Sequence, residues 1–184
     1  MPLEIKTDPH HSWLILKTGF LVLASGYITY TFFNPSSWNF LDSVDLLFHE
    51  AGHLLFSFFG QFFYFLGGSL FQILFPLIFV IYFFLRKELY SSAIVLLWVG
   101  QSVVNVSVYV KDAIAMELPL VGGGTHDWNW LLTRLNILPS APILGAILFW
   151  LGVSVAAGGI VLAIYAIISE SKPTAQTGKT QLLV

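Results

Sequence analysis

The chain has 184 residues, 57% of them hydrophobic and only 10% charged, with a formal net charge of −2 and a mean hydropathy of +0.80. A soluble domain carries about 25% charged residues. Composition therefore excludes that class, and the long apolar runs read as an all-α, polytopic helical membrane protein with a single transmembrane domain. The eight Lys and Arg residues form no basic block, so nothing points to nucleic acid or to a polybasic lipid clamp. With no cysteine, disulfides, cysteine-rich zinc modules and thiol catalysis are excluded.

Residues 1–11 form a polar arm with prolines at positions 2 and 9. One lysine against two acids, followed by an apolar run long enough to span, does not read as a cleaved signal peptide. The adjacent His10 and His11 read as an interfacial flank, since a terminal arm gives them no fixed geometry for a metal. A first span is expected at residues 13–33, with Trp13 at one interface, aromatics at the other and Lys17 snorkelling to the headgroups. Asn34-Pro35-Ser36-Ser37 ends it.

The second span, residues 40–60, carries His49-Glu50-Ala51-Gly52-His53, a His-Glu-x-x-His motif. Residues four apart share a helical face, so His49 and His53 can offer two imidazole nitrogens to one metal ion. Glu50 beside them can act as general base on a water that the ion activates. Two histidines and an acid are costly in an apolar helix, which makes them functional-site candidates. Asn39, Asp42 and Ser43 are candidate N-caps. Asp42 and Asp45 lie on the histidine stripe, where Asp45 can either receive the His49 ring N–H or serve the helix N-terminus.

Residues 60–68 read as a short interfacial connection, followed by a third span at 69–85 in which Pro76 frees a carbonyl that Gln72 or a neighbouring helix must accommodate. A fourth span is expected at 90–110, with Gln101, Asn105 and Asp112 on one face and Tyr109 close by. The second and fourth spans are expected to end on the same side, which puts that polar stripe at the depth of the histidines, as active-site groups or as interhelical glue. The stretch 111–140 holds Gly122-Gly123-Gly124 and then a short amphipathic helix at 127–138, capped by Thr125 or Asp127. A zinc site on two helical histidines needs a third protein ligand. His126 is the first choice, with Asp127 and Asp112 behind it. The fifth span, 142–168, has small residues for close packing, and a polar tail follows from Ser169. The basic residues divide evenly between the two sides, so the positive-inside rule selects no orientation.

His49-Glu50-Ala51-Gly52-His53 in a transmembrane helix resembles the intramembrane zinc metalloproteases of the site-2 protease family. The resemblance covers residues 42–60. It implies a membrane core of six or fewer helices, one Zn2+ ion, Glu50 as general base and cleavage of a membrane-protein substrate near the bilayer. Those proteases take a third ligand from an Asp in a Leu-Asp-Gly context. This chain has none, and its nearest analogue is the glycine run before His126-Asp127. The expectation is an integral, multi-pass hydrolase of the plasma (cell inner) membrane. A peptidase leads, ahead of a zinc-dependent lipid amide or ester hydrolase and of a non-enzymatic metal-binding membrane protein.

Overall fold

Long runs of Leu, Ile, Val and Phe leave the backbone to bond to itself, and helices follow. In the computed structural model, which describes residues 9–120 and 124–172, the chain is all-helical, with no strand among the described residues. Helix α1 is Pro9–Phe33, α2 is Phe40–Phe56 with a 3-10 turn Ser57–Phe59 at its end, and α3 is Gln61–Leu85. Helix α4 is Leu89–Asp112, α5 is Asp127–Arg134, and α6 is Ala141–Ser171. Gly122 and Gly123 lie outside the described residues, as do most of the N-terminal arm and the tail beyond residue 172.

Four helices are long and apolar enough to cross a membrane: His11–Phe33, Gln61–Leu85, Leu89–Asp112 and Leu138–Ser171. The expected five is corrected at the motif helix. Helix α2 has 17 residues and carries Asp42, Asp45 and Glu50, short of the roughly 20 apolar residues that a span requires. Two other expectations change. Residues 61–68 are the first two turns of α3 rather than a connection, because Gly60, at φ 93°, makes the turn in one residue. The polar start of the tail, Ser169 to Ser171, continues α6.

Helix α4 is the axis of the fold, buried along much of its length. It packs on α6 through small residues. A Cβ on Gly100 would sit 2.7 Å from the Ala156 side chain, and one on Gly152 would sit 2.6 Å from the Gly100 carbonyl oxygen, so the backbones touch there. Leu21 and Ile28 of α1, Ala93 and Leu97 of α4, and Ala156 and Ala163 of α6 form the core of this half. Lys17 pairs with Glu170 at 2.6 Å and ties α1 to the end of α6.

Helix α2 is built from its N-terminus. Asn39 is the N-cap: its side chain accepts from the Leu41 and Asp42 N–H groups while Asp42 accepts from the Asn39 N–H, a reciprocal capping box. Gly52 and Gly67 bring α2 and α3 into backbone contact, since a Cβ on either would overlap the other's carbonyl. Phe48 stacks on Phe75 at 3.7 Å above that crossing. Pro76 leaves the Gln72 carbonyl without its helical donor, and Ser102 Oγ of α4 lies 3.4 Å from it.

Candidate metal centre

Three side chains from two distant stretches meet at one point. His49 Nε2 lies 2.9 Å and His53 Nε2 lies 3.2 Å from Asp127 Oδ2, and the ligand atoms of all three fall within 4.8 Å of one another. Donors around a tetrahedral ion with bonds near 2 Å stand about 3.3 Å apart, which the two His–Asp separations match, while the widest separation of up to 4.8 Å would have to close for the ion to be held by all three.

The opposite ring nitrogens are both occupied. His49 Nδ1 is 3.0 Å from Gln72 Oε1, and His53 Nδ1 is 2.7 Å from the Tyr64 carbonyl oxygen. Both oxygens only accept, so each Nδ1 carries a proton; each Nε2 then faces Asp127 with a lone pair when the ring is neutral and donates to it when the ring is protonated. In the neutral rings a cation among the three groups would relieve the repulsion between those lone pairs and the carboxylate. Burial raises the pKa of the Asp127 carboxyl, but its contacts with His49 and His53 outweigh that and hold it below the ordinary carboxylate value. Two imidazoles and one carboxylate form a donor set that could hold a divalent metal ion with a fourth position open.

A polar chain backs the site. Gln72 Nε2 donates to Asn105 Oδ1 at 2.9 Å, and Asn105 Nδ2 donates to Asp42 Oδ1 at 2.9 Å. Gln101 Nε2 donates to the same oxygen at 2.9 Å. The stripe on α4 thus grips Asp42 and reaches His49 through Gln72. As α2 advances from Asp42 to Asp45, its partners on α4 step back, from Gln101 and Asn105 to Trp98 and Ser102. At this crossing the two helices run in opposed directions, whereas the depth argument from sequence had them run together.

The third-ligand candidates separate cleanly. Asp127, the second choice, faces the histidine pair. His126, the first choice, is the N-cap of α5: its Nδ1 accepts from the Asn129 N–H at 3.2 Å, and its Nε2 points to Asp112 at 3.3 Å. It takes the capping place expected of Thr125 or Asp127. Asp112 accepts from the Glu117 and Leu118 N–H groups and shapes the loop that leads to α5. Asp45 does not orient His49; its Oδ1 accepts from Trp98 and Ser102. Gln72 takes that role, and its signal was visible, a lone carboxamide in an apolar helix. The Tyr64 carbonyl had no sequence signal, because any residue type supplies one.

A cavity of about 240 Å³ opens on the cluster, lined by Glu50, Tyr64, Asn105, Tyr109 and Trp128 among others. Fold and site together define an all-helical chain, with four helices able to span a bilayer, built around a His-His-Asp cluster beside a glutamate. No protein-family model, curated protein or solved structure matches the chain.

Proposed function

We propose that the protein is a membrane-embedded zinc-dependent hydrolase that cleaves peptide bonds. His49, His53 and Asp127 hold the ion, and Glu50 is the general base. The observation that carries this reading is the convergence of the two Nε2 atoms on Asp127, with both Nδ1 atoms engaged behind them. The four long apolar helices support the membrane setting.

When bound, zinc lowers the pKa of a water to near 7 and polarises a carbonyl oxygen. Glu50 follows His49 in the chain and lines the same cavity. Its carboxylate accepts the proton of the attacking water and passes it to the leaving nitrogen. Gln72 and the Tyr64 carbonyl hold the two imidazoles in the required tautomer.

The lining favours a peptide over a phospholipid. It contains Asp42, Glu50 and Asp127 and no lysine or arginine. A phosphate headgroup would meet carboxylates and, apart from the proposed metal ion itself, no cationic side chain to receive it. Neutral amides with apolar side chains suit walls such as Phe65, Val106 and Trp128.

The test is zinc analysis of the purified protein together with cleavage of a single-span peptide in mixed micelles. Wild type should hold about one zinc per chain. Glu50→Gln should keep the metal and lose about 1,000-fold in turnover, within the range of general-base catalysis. His53→Ala should lose the zinc. Full turnover by Glu50→Gln, or wild-type protein without zinc, overturns the proposal, and cleavage of a lipid amide in place of the peptide overturns its substrate class.

A further inference from the structure

Peptide hydrolysis builds negative charge on the carbonyl oxygen, and hydrogen-bond donors placed at that oxygen are commonly worth more than any other single contact. Asn105 is the donor that the sequence offers. The structure commits it elsewhere: its Nδ2 donates to Asp42 and its Oδ1 accepts from Gln72. Apart from Thr125 on the exposed loop and the rim residue Tyr64, other side-chain donors at or behind the cavity are also engaged. Trp128 Nε1 bonds Ser69 Oγ at 3.0 Å, Trp38 Nε1 bonds Ser43 Oγ at 2.9 Å, and Gln101 Nε2 bonds Asp42.

Tyr109 differs. It lies one turn beyond Asn105 on α4, is half-buried and lines the cavity. Among the described residues its hydroxyl has no hydrogen-bond partner. Its ring stands 6.3 Å from that of His126, the residue before Asp127. It stands on the cavity wall, one turn from Asn105 and beside His126. A phenol there brings a neutral donor, uncharged at neutral pH, to a cavity otherwise rich in acceptors. Tyr64 is the other phenol of the lining, but it lies at the exposed rim with its ring stacked on His53 at 4.8 Å.

We propose that Tyr109 is a catalytic residue whose O–H donates to the carbonyl oxygen of the scissile peptide bond as that oxygen gains charge. The inference rests on the hydrolase reading above. Water adds to the carbonyl carbon, and Glu50 takes the water proton. The C–N bond breaks as Glu50 returns that proton to nitrogen, the proton of the new carboxyl group then passes to the amine, and the products are a carboxylate and an ammonium group. Tyr109 keeps its own proton throughout, so its part is electrostatic.

The experiment compares wild type, Tyr109→Phe, Tyr64→Phe and Glu50→Gln for zinc content, kcat, KM and affinity for a phosphinic peptide, a mimic of the tetrahedral stage. Tyr109→Phe should keep its zinc and its KM within about twofold, lose about 100-fold in kcat, and bind the phosphinic peptide about 100-fold more weakly. Unchanged kcat and phosphinate affinity in Tyr109→Phe overturn the assignment even if Glu50→Gln is inactive. A loss confined to Tyr64→Phe overturns it too, and moves the donor to the rim. If Glu50→Gln is fully active, the general-base role of Glu50 fails, and if no variant and no wild type turns over or holds zinc, the hydrolase reading itself fails, so the three outcomes are distinguishable.

Discussion

At the scale of single residues, the closing of the site depends on two neighbours with opposite tasks. Asp127 sends its carboxylate to His49 and His53, while His126 turns back to cap α5 and to meet Asp112. Both line the cavity, but adjacent positions at a helix start point in different directions, and only Asp127 reaches the histidine pair. Removal of Asp127 takes away an anionic ligand, whereas His126→Asn keeps a side-chain acceptor at the N-cap. The expected outcome is that Asp127→Ala loses zinc and His126→Asn retains it, read by elemental analysis of the purified variants. The reverse pattern would restore His126 as the ligand. Sequence spacing could nominate both residues but could not rank them, because the choice rests on the turn that precedes α5.

Among the elements, the α2–α3 crossing decides whether the histidines have room. Gly52 and Gly67 let the two backbones touch, and Gly68 faces the Nε2 edge of His49. A Cβ at Gly68 would sit 2.5 Å from His49 Nε2. The imidazole cannot move aside without leaving Gln72, which fixes its other nitrogen. Gly68→Ala should therefore weaken zinc binding by about 10–100-fold, the usual cost of disturbing a ligand's support, although residue 68 is itself no ligand. A competition titration against a chelator measures this, and unchanged affinity would show that the ring has freedom to shift. The glycine pair at 67 and 68 was legible as punctuation. Its purpose was not, since a glycine that ends an element and one that admits a neighbour look alike in a sequence.

For the whole molecule, α4 and α6 form a closely packed pair to which α1 is added, and the α2–α3 hairpin holds the site against α4. Helix α5 joins this body through Phe65–Trp130 stacking at 4.5 Å, through Trp128 on Ser69 and through Asp127 on the histidines. A bound ion would tie α5 to α2 and stabilise the folded chain by mass action. Stripping the metal with a chelator should lower the melting temperature in detergent by several degrees, and zinc should restore it. The same treatment should leave the melting temperature of His53→Ala unchanged. A chelator that shifts both equally would mean that the metal is not held at this cluster.

The sequence by itself determined what local chemistry governs. Apolar runs made long helices, Asn39 and Asp42 capped α2, and a spacing of four put His49 and His53 on one face whatever surrounds them. The tertiary structure alone decided the rest. Which acid completes the cluster depends on a contact across 78 residues, and which group fixes each imidazole depends on how α3 crosses α2. Helix periodicity sets the face on which a side chain lies, but the partner on the other side of that face is chosen by packing between segments far apart in the chain.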